Sequence, residues 1–238
     1  HGMGRRPDLL KEVARRTGLH IVAATGFYQQ AYHPPYLAER SAEELADQLM
    51  RDITEGMDGT AVKPGILAEI GTSKGEVRPD EAKVFRAVAR VHRWTGLPIS
   101  THCTLGTMGR EQLNLLESLG VDPARVVIGH QDLIDDLETH AALARRGATV
   151  AYDTAGKEAY MPDAVRVRLI TGMLERGLGD RVVLSMDVTR RSHLKTNGGY
   201  GYSYLFDRLV PMLREAGVSE AELEQMLVLN PRRILTIA

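Results

Sequence analysis

The chain is poor in the residues that staple or anchor a protein. It has one cysteine, Cys103, in 238 residues. An internal disulfide framework is therefore excluded, and the composition fits a reducing compartment. With one Trp and three Phe, the core must be built largely from aliphatic side chains. No apolar run approaches the roughly 20 residues that a bilayer-spanning helix needs. Charge of one sign is not in excess: 30 Lys plus Arg face 31 Asp plus Glu. That balance gives no basic surface for nucleic acid or an anionic membrane. The opening stretch, HGMGRRPDLLKEVARR, carries basic residues but no apolar core, so no secretory leader is expected. A cytoplasmic protein without nucleic-acid or membrane partners is the expectation.

What the chain does have is alternation. Apolar runs cover His20–Phe27, Gly65–Gly71, Pro98–Cys103, Arg125–His130, Ala148–Asp153 and Arg181–Asp187. They are nearly continuous rather than alternating, the pattern of parallel strands covered on both faces. Amphipathic segments lie between them. Ser41 with Glu44, and Ser219 with Glu222, have the spacing of capping boxes. Gly96, Gly120, Gly147, Gly177 and Gly217 close helical patterns ahead of the next element. Pro211 falls inside one such pattern and is expected to kink it.

Strand, helix, strand without a linker leaves an open doubly wound sheet or a barrel. An open sheet would gather its site at one switch point behind a Gly-rich first turn, and no G-x-G-x-x-G follows a strand here. Instead a polar group sits near the end of almost every strand: Thr25, Glu69, His102, His130, Asp153 and Asp187. Barrels place their chemistry there. The fold expected is α/β, a (β/α)8 TIM barrel in a single domain spanning residues 1–238. Only strands three to eight are readable, so the chain is expected to lack the first two βα units.

Glu69, His102, His130 and Asp187 stand on four different strands near one barrel mouth. Imidazole and carboxylate donors suit zinc and related divalent ions. A carboxylate inside GILAEIG is costly to bury unless it is paired or binds a metal. Asp187 is the candidate proton acceptor for an activated water. Other residues have blander readings. His92 belongs to helix packing or the surface, His140 to solvent, and Cys103, alternating with His102, to the core. Ser185 lacks a G-x-S-x-G elbow. Lys157 keeps open a Schiff-base aldolase, and a non-catalytic ligand-binding barrel is the other alternative.

Several segments together resemble the phosphotriesterase family of the amidohydrolase superfamily, in its phosphotriesterase homology branch. They are GMGRRPDLL with IVAATGFY, GILAEIGTS, ISTHC, VVIGHQD, YDTAGK, LSMDVTRRSHLKTNGGYGYSYL and NPRRIL. The resemblance implies a metal-dependent hydrolase that attacks an ester, lactone, amide or phosphoester bond with a hydroxide bridging two divalent metals. Those metals are usually zinc, with manganese, cobalt or iron as alternatives. It implies His102 and His130 as ligands of one metal, Glu69 as the bridge and Asp187 as ligand and proton acceptor. Tyr28 matches a tyrosine that lines the site of related lactonases. The family's His-x-His pair of strand one is missing from this sequence, in agreement with the strand count. Beyond Asp187, Arg190, Arg191, His193 and Lys195 could hold positive charge over the mouth, with Arg190 the candidate contact for an anionic small-molecule substrate. The bland reading is that they pair with local acids. A homodimer is left open.

Overall fold

The structure, a computed structural model, describes residues 1–237. Among them, six strands form one sheet in the order of the chain, every neighbouring pair parallel. The strands are β1 (Ala24–Thr25), β2 (Ile66–Thr72), β3 (Ile99–Cys103), β4 (Val126–Ile128), β5 (Thr149–Tyr152) and β6 (Val182–Leu184). Between them run α1 (Pro7–Thr17, ahead of β1), α2 (Ala42–Thr54), α3 (Pro79–Thr95), α4 (Gly109–Ser118), α5 (Leu137–Arg145) and α6 (Asp163–Glu175). This is a parallel α/β fold of the TIM-barrel kind. No helix among the described residues is long and apolar enough to cross a membrane.

Local chemistry accounts for the element ends. Ser41 and Glu44 close the capping box that starts α2, and Ser219 and Glu222 do the same for α8 (Glu220–Glu224), counting Val210–Glu215 as α7. Gly96 ends α3 in the left-handed region that only glycine enters freely. Pro211 falls in the first turn of α7 rather than inside a longer α-helix. A π-turn over Leu205–Leu209 leads into α7, and another over Gln225–Leu229 leads into α9 (Asn230–Leu235), which contains Pro231. A proline offers no N–H to the preceding turn and its ring crowds the carbonyl there. The wider turn absorbs both effects.

Except for β2, which is as long as its run, the strands are shorter than the apolar runs that predict them, most of all at the edges. The run His20–Phe27 yields only the two residues of β1. Leu19, Ile21 and Val22 just before it are exposed. Val228, Leu229, Leu235 and Ile237, on the segments next to β6, are exposed as well. Elsewhere the core is aliphatic, and β4 and β5 are buried throughout. At the base, Asn230 of the NPRRIL segment donates to the carbonyls of Gly179 (2.8 Å) and Val182 (2.7 Å) and so pins α9 beneath β6.

His140 departs from its expected place in solvent. It is fully buried, with Nδ1 2.9 Å from the Tyr152 hydroxyl. It lies on the inner face of α5, and burial lowers its pKa, so the ring stays neutral. His92 is buried too and meets the carbonyl of Leu97 at 2.7 Å, the helix-packing role anticipated for it. Cys103 is fully buried in the main core.

Candidate metal centre

The C-terminal ends of the strands open on a cavity of about 570 Å³, a size that suits a small molecule. Glu69, His102, His130, Asp187, Tyr28 and Arg190 all line it. Local backbone devices bring the four candidate ligands to the mouth. Glu69 comes from β2, where the register against β3 shifts between Leu67 and Ile70. Such an irregularity re-aims a side chain without ending the strand. His102 is the penultimate residue of β3. His130 and Asp187 lie beyond β4 and β6 in the left-handed region, with φ of 57° and 45°. A non-glycine residue there costs about 1–2 kcal/mol, and such strain concentrates at functional sites.

Gly129 lets His130 approach. A Cβ on Gly129 would stand 2.1 Å from the carbonyl oxygen of Thr101 in β3. Only glycine allows the end of β4 that close to β3. As a result His130 Nε2 is 2.7 Å from His102 Nδ1.

Three residues converge. Donor atoms of Glu69, His102 and His130 all lie within 4.8 Å of one another. Glu69 Oε2 is 3.8 Å from His102 Nδ1, and Oε1 is 3.7 Å from His130 Nε2. The Glu69 carboxylate makes no hydrogen bond among the described residues, although hard and borderline donors surround it. This donor set fits a divalent ion. Asp187 is at the same mouth but stands outside this trio, in an ion pair with Lys157. Lys157 Nζ is therefore engaged by a carboxylate rather than standing free in the cavity.

The electrostatics follow from these positions. The Glu69 side chain is 38% accessible and opens on the cavity. Removal from bulk water pushes its carboxyl up to about 7, and Asp153 and Asp187 add to this against the pull of His130 and Lys157. Burial, then His130 and Lys157, brings His102 down to about 3. Burial also pulls on His130, but Asp153, Glu69 and Asp187 outweigh it and raise His130 to about 10. The Tyr28 hydroxyl lies 3.0 Å from Nδ1 and 2.9 Å from Nε2 of His102. Burial, with Glu69 and Asp187 nearby, keeps that hydroxyl protonated.

Two contributions were missed in the sequence. Asp153, noted only as a strand-end polar group, accepts from the His130 backbone N–H (3.0 Å) and sits 2.7 Å from His130 Nδ1. That contact fixes the ring and turns Nε2 toward the cavity, the usual support for a histidine ligand. Its equivalent position on β5 was the available signal. Lys157 was weighed only as a nucleophile. Its role as the counter-charge of Asp187 depends on how the β5–α6 loop folds. Of the basic loop, Arg190 and His193 line the cavity. Lys195 instead pairs with Asp207 at 2.9 Å, the bland reading anticipated for it.

The Phosphotriesterase family profile matches residues 1–235. The chain belongs to the phosphotriesterase family. The phosphotriesterase homology protein of Escherichia coli (strain K12) is 50% identical over 229 residues, 96% of this chain and 78% of that protein. The N-acetyltaurine hydrolase of Homo sapiens is 33% identical over 247 residues, 99% of this chain and 70% of that one. A crystal structure of the E. coli homology protein, complexed with phosphate in its active site, matches with a TM-score of 0.98 at 49% identity. That match covers 99% of this chain and 81% of the other. A lactonase from Listeria monocytogenes matches at TM-score 0.94 and 27% identity, covering 99% and 78%. As a member of the phosphotriesterase family with hydrolases among its relatives, the chain is a metal-dependent hydrolase.

Proposed function

We propose that this phosphotriesterase-family hydrolase cleaves a lactone, ester or acyl-amide bond in a small anionic molecule, using two divalent metals held at the mouth. The convergence of Glu69, His102 and His130 within 4.8 Å on the floor of the cavity carries this reading. Zinc is the favoured metal because imidazole and carboxylate make up the donor set. When bound, the metals supply a Lewis acid that activates water near neutral pH and polarises the bond under attack.

The protein's own groups supply the rest. Glu69, whose carboxylate faces both histidines and makes no hydrogen bond among the described residues, would hold a metal beside His102 and His130 and would serve as the bridge to the second. Asp153 orients His130. Asp187 would be a further ligand and would take the proton of the attacking water, with Lys157 beside it to balance its charge. Tyr28 lies against His102 and lines the pocket wall where the acyl group would rest. Arg190 is exposed at the rim and makes no ion pair among the described residues, so its guanidinium is free to hold an anion. Relatives agree with an anionic substrate: N-acetyltaurine carries a sulfonate, and the E. coli structure holds phosphate in its active site. A neutral phosphotriester would gain little from Arg190.

We also propose that two further βα units close the barrel between β6 and β1. The apolar side chains left exposed just before β1, Ile21 and Val22, and on the segment that contacts β6, Val228 and Leu229, support this. In such a barrel the added strand nearest β6 and Asp187 would bring the remaining metal ligands.

Metal analysis with a hydrolysis screen of lactones, N-acyl amino acids and phosphate esters tests the proposal. Two equivalents of metal, lost in Glu69→Ala together with turnover, are expected from the complete protein. Turnover that survives metal removal would sink it.

A further inference from the structure

The segment from Ser185 to Tyr204 follows β6 and overhangs the mouth, and its Thr189, Arg190 and His193 line the cavity. Within itself it is tightly turned: the N–H of Gly201 donates to the carbonyl of His193 at 2.8 Å, and that of Gly199 to Leu194 at 3.0 Å. Val188, Tyr200 and Tyr204 pack on the core and Lys195 pairs with Asp207 in the helical segment that follows, but hydrogen bonds to the earlier chain are few. Among the described residues, one hydrogen bond joins residues 188–204 to the chain before them, from the Tyr204 hydroxyl to Asp163 Oδ2 at 2.9 Å.

That bond ends a continuous stack. The His193 ring lies on Tyr200 with centroids 5.1 Å apart and planes at 28°. Tyr200 meets Tyr204 edge to face at 5.8 Å. The Tyr204 ring in turn seats on Gly156, where an added Cβ would come within 3.0 Å of the ring carbons. Below this the support is rigid. Asp163 Oδ1 accepts from the Gly156 N–H (3.1 Å) and from Arg166 Nη1 (2.7 Å), and Arg166 and Asp163 are both buried. Force applied at the rim therefore passes along His193, Tyr200, Tyr204 and Asp163 into the barrel wall.

We infer that Tyr200 and Tyr204 form a latch that positions the lid, and with it Arg190 and His193, over the mouth. They touch no reacting atom, so they are positioning residues. Their effect on specificity rests on the anionic-substrate reading above. With the latch set, the Arg190 guanidinium is held near one place, and less ordering is lost when an anion binds. With the latch undone, the lid keeps its internal turns but swings on its ends.

Three variants test the latch, with hydrogen exchange of residues 188–201 and the dissociation constant for inorganic phosphate as readouts. Tyr204→Phe removes only the hydroxyl. Tyr200→Ala breaks the stack without touching Asp163. Tyr200→Phe keeps the stack, because the Tyr200 hydroxyl is buried with no partner among the described residues. The first two should each speed lid exchange about tenfold and weaken phosphate about fivefold, the loss expected for one hydrogen bond or ring contact. Exchange in the strands should not change, and Tyr200→Phe should match the wild type. Unchanged lid exchange in both disruptive variants would overturn the latch, as would exchange that rises equally in lid and sheet. Lid exchange decides the matter even where wild-type protein ignores phosphate, an outcome that removes the anion reading instead.

Discussion

Two clusters of charge near the strand ends behave in opposite ways. Around Arg166, fully buried, every guanidinium nitrogen has a partner. Nε donates to Asp132 (2.8 Å), Nη1 to Asp163 (2.7 Å) and Nη2 to Thr154 (2.9 Å). Asp132 also accepts from the N–H and hydroxyl of Thr154. Around Glu69, by contrast, the carboxylate has no hydrogen bond among the described residues and faces two imidazoles at 3.7–3.8 Å. The first cluster is nearly closed, with Asp132 Oδ1 its one buried oxygen lacking a partner among the described residues, and it holds loops in place. The second is left open, and an open set of donors on a cavity floor is what a metal ion completes. Charges that serve stability are satisfied within the chain. Charges that serve chemistry are left for a ligand to satisfy.

The largest effect should come from breaking the closed cluster. Arg166→Met strands Asp132 and Asp163 as buried, uncompensated carboxylates and should cost about 3–5 kcal/mol in urea unfolding. A loss below about 1 kcal/mol would mean that the cluster is not the closed unit described. The same kind of substitution in the open cluster should do the reverse. Glu69→Gln removes a carboxylate that makes no hydrogen bond and whose burial outweighs the pull of His130 and Lys157, so the unfolding midpoint in chelator should be unchanged or slightly higher. Metal affinity should fall by at least about 100-fold, a loss that calorimetry would show.

A third region sharpens the contrast through pH. Asp52 is buried and bonded by His1 Nε2 (2.9 Å), by both terminal nitrogens of Arg5 (2.7 and 2.9 Å) and by Thr25. Burial opposes its charge, but these bonds outweigh it and hold the pKa below the ordinary carboxylate value. A depressed folded-state pKa stabilises above the unfolded value, near 4, and that stability is lost as pH falls toward the folded pKa. Asp52→Asn should therefore cost roughly 2 kcal/mol at pH 7 and flatten the acid limb of the stability profile. An acid limb identical to wild type would refute the assignment. The smallest effect concerns the rim. Arg190→Ala should raise KM about tenfold for anionic substrates, with little change for neutral ones. Equal changes for both would remove Arg190 as an anion contact.

Much of the site was legible because it repeats. Glu69, His102, His130 and Asp187 were found by asking what stands at the end of each strand, and all four line one cavity. The same rule pointed at Asp153 but could not say that it holds His130 rather than a metal. That role depends on a left-handed turn at His130, invisible to periodicity because nothing in the type of residue requires it. His140 was misplaced for a related reason. Polar residues on a short helix look solvated until the neighbouring helix and strand are seen to cover them. The counter-charge role of Lys157 is not readable from the sequence because its partner, Asp187, lies thirty residues away.

The sequence by itself determined the alternation of parallel strands and helices, the capped and glycine-closed helix ends, and the kinds of donor gathered at the strand ends. These are local or periodic signals, set by propensity and burial within a few residues. Only the tertiary structure decided which donors meet, which carboxylate braces a histidine and which takes an ammonium, and where the lid is tied down. Those outcomes depend on strand register, on two strained turns and on one glycine's close approach. They join residues whose separation along the chain carries no pattern to read.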